Sequence, residues 1–143
     1  VRERGICTLT VKIVSGPFMA GSDRLRINVT GRQTHGAQPH RGIDPIVAAS
    51  QIVNALQTIP SRQMDAVGSP VIVTIGSIHG GVRYNIIPDR VELDGTIRYL
   101  NPETRDDLYA RIRRTAEQIA RNPLGIYVHA FNWSQDLSPG ESK

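Results

Sequence analysis

Cysteine, aromatic residues and long apolar runs are all scarce in this chain, and each shortage excludes a class of protein. Cys7 is the only cysteine in 143 residues, so no internal disulfide forms and no closely spaced Cys and His set offers a structural zinc site. A reducing, cytoplasmic setting is the expectation. Aromatic residues make up 5% of the sequence, too few for a ready stacking platform for nucleic-acid bases. No stretch approaches the roughly 20 apolar residues that cross a bilayer, and the opening VRERGICTLT has no long apolar run behind its basic residues. Neither a membrane span nor a secretory leader is read from it. A GxSxG elbow, a P-loop, an HExxH helix and a dinucleotide-type glycine loop are absent as well.

What remains is ordinary globular material, 39% hydrophobic and 21% charged, enough for one domain. Seventeen Lys and Arg against thirteen Asp and Glu give a net charge of +4, which points toward an anionic partner. The distribution weakens that reading. Many arginines fall within residues 103–121, mixed with Glu103, Asp106, Asp107 and Glu117, as on a solvated helix face.

Periodicity supplies the elements. Residues 6–13 alternate as a half-buried strand, and a second strand runs over 25–30, with Leu25, Ile27 and Val29 on one face. The loop GRQTHGAQPHRG follows. Asp44 and Pro45 open a helix to about Ile59, because a carboxylate caps free amides and a proline at the first helical position has none to satisfy. Ile46, Ala49, Val53 and Leu56 make its apolar face, and Pro60 ends it. VIVTI at 71–75 is apolar on both faces, as in a central strand or one covered by another subunit. Gly80 and Gly81 then turn the chain, allowing positive φ.

A short extended piece at 84–87 leads to a strand at 91–99, whose inner face is Val91, Leu93, Ile97 and Tyr99. Asn101 and Pro102 open a second helix with the stripe Leu108, Ile112, Ala116 and Ile119, and 126–131 reads as a last strand before a polar tail. From residue 25 the order strand, helix, strand, strand, helix, strand predicts an α+β fold. It is the ferredoxin-like split βαβ sandwich, a four-stranded antiparallel sheet with two helices on one face. The other sheet face is left to solvent, to function or to a covering partner.

A complete metal site is hard to assemble from these residues. His35 and His40 lie five apart in the glycine-containing loop without converging acidic or thiolate partners, and no histidine is followed at two residues by an acid. Taken alone, His35 reads as a solvated turn histidine, though one set among small residues that another surface can approach.

The segments GRQTHGAQPHRGIDPIVAASQIVNALQTI, GSIHGGVRYNIIPD and VELDGTIRYL, taken together, resemble the dimerisation or lid domain of the metal-dependent aminoacylase and carboxypeptidase family. That family includes hippurate hydrolases, indole-acetyl-amino-acid hydrolases and carboxypeptidase G. The resemblance runs from about Gly16 to the second helix and implies a lid inserted into a larger catalytic domain that carries two divalent metals, zinc or manganese. It implies that none of the metal is bound by this chain. By the same resemblance residues 1–20 are the strand leading out of the catalytic domain, 21–133 the lid, and 134–143 a polar tail.

The resemblance also implies roles. His35, in THGA, matches the lid histidine that reaches the partner subunit's active site and steadies the negative oxygen of the tetrahedral intermediate. There a metal-bound water attacks the amide carbon and a catalytic-domain glutamate moves the proton. A donor aimed at developing charge is worth about 3–4 kcal/mol of transition-state stabilisation. Asn85, in YNIIPD, and Arg98, in GTIRYL, match positions that hold the substrate's carbonyl or carboxylate. Read from the residues alone, Asn85 is a turn-capping side chain and Arg98 a solvent-facing strand residue opposite Glu92 or Asp94. His40 ranks below His35, and His79 and His129 look incidental. The implied partners are a second copy, joined through the helix after Asp44 and the VIVTI strand, the parent's catalytic domain, and a small N-acyl amino acid. Neither nucleic acid nor membrane is among them. Two other readings stand beside this one: a free-standing ferredoxin-like module that binds RNA or a small anion, and a purely structural homodimerisation domain.

Overall fold

A computed structural model describes residues 20–121. The strand expected at 6–13, the last strand at 126–131 and the tail from 134 lie outside the described residues. The first described strand, β1 (Gly21–Thr30), alternates as its sequence demands, with Leu25, Ile27 and Val29 fully buried and polar residues between them. It begins four residues earlier than its apolar pattern, because its ladder with β5 (Arg90–Tyr99) runs on as far as Gly21 opposite Tyr99.

Between these two come β2 (Thr34–His35), α1 (Pro45–Leu56), β3 (Ile72–Gly80) and β4 (Ile86–Ile87), and α2 (Pro102–Ala120) follows β5. The sheet order is β1, β5, β3, antiparallel at both pairings. Inserting β5 between two strands joined through α1 is the split βαβ arrangement. Three strands, not four, form this sheet among the described residues. β3 is therefore its edge there rather than a middle strand. It also runs on beyond VIVTI through Gly76, Ser77 and His79, past a bulge between Ile75 and Ser77. Gly95 of β5 permits that close pairing, since a Cβ there would lie 2.1 Å from the Thr74 carbonyl oxygen.

Both helices begin as their caps predict. The Asp44 carboxylate accepts from the N–H groups of Ile46 and Val47 at 2.9 and 3.3 Å, and Asn101 accepts from Thr104 N–H at 2.9 Å. The buried face of α1 is Pro45, Ala48, Ala49, Ile52 and Leu56. Ile46, expected in the core, is 47% exposed with Val47 beside it at 43%. In PIVAASQIVNAL nearly every position is apolar, so several stripes satisfy a helical period and only packing selects one. The helix stops at Leu56, and Pro60 lies in a following π turn, Ile59–Gln63, whose Ile59 is buried. α2 buries Leu108, Ile112 and Ala116 as expected, with Ala120 rather than Ile119 completing the stripe.

One core results. Leu25, Ile27 and Val29 meet Leu93 and Ile97, with Ile52 and Leu56 of α1 and Leu108 and Ile112 of α2 above them. Each such side chain contributes about 1.5–3 kcal/mol on burial.

Candidate functional site

The site grows from the end of the β1–β5 ladder. Beyond Thr30 opposite Arg90, the N–H of Gly31 donates to the Asp89 carbonyl at 2.7 Å. The same two chains then pair again as a short arm, with Thr34 opposite Ile87 and His35 opposite Ile86. Past His35 the chain reverses, the N–H of Gln38 donating to the His35 carbonyl at 2.8 Å. Across the arm a second turn, closed by Ile86 N–H on the Arg83 carbonyl at 3.3 Å, has Tyr84 and Asn85 at its centre. Gly36 N–H donates to the Asn85 carbonyl at 2.8 Å and ties the two turns together. His35 and Asn85, fifty residues apart in sequence, are thus neighbours at one tip.

The ring of His35 is exposed, and its Nδ1 accepts the backbone N–H of Ala37 at 3.1 Å. A neutral imidazole whose Nδ1 accepts carries its proton on Nε2. The tip therefore presents an N–H donor outward. Asn85 is partly buried, and its carboxamide makes no hydrogen bond with the described residues. The turn is held by backbone, not by that side chain, so the capping alternative for Asn85 is not what the structure has.

Arg98 lies elsewhere. It pairs with Ser22 and Ile72 rather than with Glu92 or Asp94. From Arg90, beside the arm, it is eight residues along β5, roughly 26 Å at about 3.3 Å per residue. The structure brings His35 and Asn85 together and leaves Arg98 at the opposite end of the sheet. Its side chain is exposed and makes no ion pair with the described residues.

The helix-free sheet face is charged. Arg24 grips Asp94 with two donors, Nε at 2.9 Å among them, and Arg26 reaches the same carboxylate at 3.4 Å. Arg90 pairs with Glu92 at 3.0 Å. Hydrogen bonding from Arg24 holds the Asp94 carboxyl down at about 2, against desolvation. The register puts no aromatic residue on this face among the described residues: Tyr99 lies on the other side, Tyr84 is in a turn, and Tyr127 and Phe131 are outside the described residues.

Residues 20–123 match the family of peptidase dimerisation domains. The chain belongs to that family. Its dimerisation domain is 43% identical over 111 residues to N-acetyl-L-cysteine deacetylase of Bacillus subtilis, covering 78% of this chain and 26% of that protein. It is 44% identical over 112 residues to thermostable carboxypeptidase 1 of Saccharolobus solfataricus, covering 78% and 27%. Among solved structures it resembles a dinuclear metal-binding peptidase of the M20 family from Bacillus subtilis, at 32% identity and a TM-score of 0.59 over 86% of this chain and 28% of that one. An aminobenzoyl-glutamate utilization protein from Klebsiella pneumoniae, 23% identical with a TM-score of 0.62 over 73% of this chain and 26% of that one, shares the fold. The chain spans about a quarter of the length of these relatives.

Among the described residues no group of three or more His, Cys, Asp or Glu converges. His40 sits exposed in the single 3₁₀ turn Pro39–Arg41, and His79 lies on β3 opposite Glu92. His129 is outside the described residues. No described helix is long and apolar enough to cross a membrane. Of the two paired glycines, Gly81 takes the expected positive φ, +87°, while a Cβ on Gly80 would meet Val91 at 2.7 Å.

One cluster leaves almost no trace in the sequence. Asp23, near the start of β1, receives Arg105 Nε at 2.8 Å, Tyr109 OH at 3.0 Å and Tyr99 OH at 3.2 Å on one carboxylate oxygen. The Arg105 guanidinium also sits 5.0 Å above the Tyr109 ring. Burial alone would raise the Asp23 pKa, but the three donors outweigh it and hold it below the ordinary value. Burial, then the carboxylate, pushes both tyrosine hydroxyls up. The one hint in the sequence is an acid at a core-facing position of an alternating strand.

Proposed function

We propose that this domain is the lid of a longer, two-metal amidohydrolase that cleaves N-acyl amino acids or related small amides, with residues 21–133 as the lid. The cytoplasm is its proposed compartment, on the single cysteine. The chain's own part is binding and geometry. His35 directs its Nε2–H at the oxygen of the scissile carbonyl, where negative charge develops, and Asn85 beside it donates without adding charge. Arg98 holds the substrate carboxylate through its forked, permanently charged donors.

The observation that carries the reading is the tip itself: two turns bonded to one another present an imidazole, its Nδ1 already engaged by Ala37 N–H, and an amide side chain together. A small amide cannot touch both this tip and Arg98 of the same protomer across roughly 26 Å of strand. His35 and Asn85 of one protomer therefore serve the same substrate as Arg98 of the other. The proposed homodimer forms through β3 and α1, where Ile72, Ile46 and Val47 lie exposed, and buries at least about 1,200 Å² in total.

The test uses the full-length parent with N-acetyl and N-benzoyl amino acids. His35→Ala lowers kcat by about 10²–10³, the cost of losing one oxyanion donor; turnover within twofold of wild type removes the role. Mixing inactive His35→Ala and Arg98→Ala dimers under exchange restores activity, because one site of each mixed dimer regains both residues. No recovery would show that the two act in one protomer.

A further inference from the structure

Two apolar side chains flank the polar pair and are covered by nothing in the described fold: Tyr84 is fully exposed and Val82 is 90% exposed. Isolated surface apolar residues need no explanation. These two share the loop of Asn85, and Tyr84 shares its turn. That turn is closed by Ile86 N–H and fastened to Gly36 beside His35. The backbone under Tyr84 is thus fixed while its ring stands in solvent, although an aromatic side chain has 150–250 Å² or so to bury.

We propose that Tyr84, with Val82 beside it, selects the acyl group of the amide and favours an aromatic or extended apolar acyl group over acetyl. This rests on the preceding reading, which also sets the direction. With the carbonyl oxygen at His35 and the carboxylate carried to Arg98 of the opposite protomer, the part of the substrate left at this tip is the acyl group. A ring on a bonded turn meets it with little ordering cost, since the turn is already formed.

The experiment measures kcat/KM of the full-length parent for a matched pair, an N-benzoyl and an N-acetyl derivative of one amino acid. Tyr84→Ala lowers the benzoyl-to-acetyl ratio at least about tenfold, in the range pocket contacts give. Tyr84→Phe keeps the ratio, and Val82→Ala lowers it in the same direction by less. Because Tyr84 packs against nothing described, the melting temperature of Tyr84→Ala stays at the wild-type value and separates selectivity from misfolding. An unchanged ratio, or an equal loss on both substrates as for a residue that seats the lid on its catalytic domain, overturns the proposal. His35→Ala in the same assay keeps the two failures apart: if it lowers both substrates while Tyr84→Ala leaves the ratio alone, only the selectivity falls. If His35→Ala has no effect, the underlying reading falls.

Discussion

Asp23 and Asp94 place two carboxylates under opposite faces of the sheet, each held ionised by donors from distant parts of the chain. Their pKa values lie below the ordinary value, Asp94 at about 2, against about 3.9 in an unfolded chain. Below the unfolded value the unfolded state binds more protons, so the stability these groups contribute is fully present above about pH 5 and is lost as pH falls toward 2. Urea midpoints should be flat from pH 8 to 5 and decline below that, with the decline shallower in Asp23→Asn/Asp94→Asn. A decline of equal steepness in the double variant would move its cause to other acids. Asp23→Ala at pH 7 should cost about 2 kcal/mol, because it removes the acceptor that Arg105, Tyr109 and Tyr99 share. Asp94→Ala, nearer solvent, should cost less. Neither cluster was legible beforehand. Asp23 meets partners 76–86 residues away, and spacing along a strand says which face a side chain takes, not what comes to meet it. His35 and Asn85 were legible as residues through their motifs, and only the bond from Gly36 to the Asn85 carbonyl puts them at one tip.

The elements whose ends carry local chemistry were read best. Asp44 with Pro45 and Asn101 with Pro102 start helices where the sequence places them, because a cap needs only its own next three residues. Asp44→Ala should cost about 1 kcal/mol and speed hydrogen exchange at Ile46 and Val47, whose N–H groups it satisfies; unchanged exchange there would show that the carboxylate bonds contribute nothing in solution. What failed was the choice of face and length. α1 has too many apolar positions for its period to pick a stripe, and β3 extends through GSIHG, where Ile78 is flanked by glycines and polar residues and the strand is held by pairing with β5. Both errors have one origin: tertiary contact overrides a weak local preference.

For the whole molecule, connectivity was the strongest signal, since alternating strand and helix patterns with short links leave few topologies open. The sheet's edge was not, because VIVTI is apolar on both sides and reads equally as a middle strand. Among the described residues it pairs with β5 alone, which leaves a long edge there with Ile72 and Ile78 each 56% exposed, the kind of edge natural proteins cover or charge. β3 carries no Lys, Arg, Asp or Glu. In the proposed homodimer a two-fold partner would cover this edge and the Ile46–Val47 surface of α1 together, joining strand to strand and helix to helix. Ile72→Lys should therefore convert the dimer to monomer in sedimentation at micromolar concentration, and Ile46→Lys should weaken it in the same direction. Arg114→Glu, on the exposed face of α2, should leave association unchanged. If Ile72→Lys still sediments at twice the chain mass, β3 is not the joining edge and a shared site between protomers must be assembled through another surface.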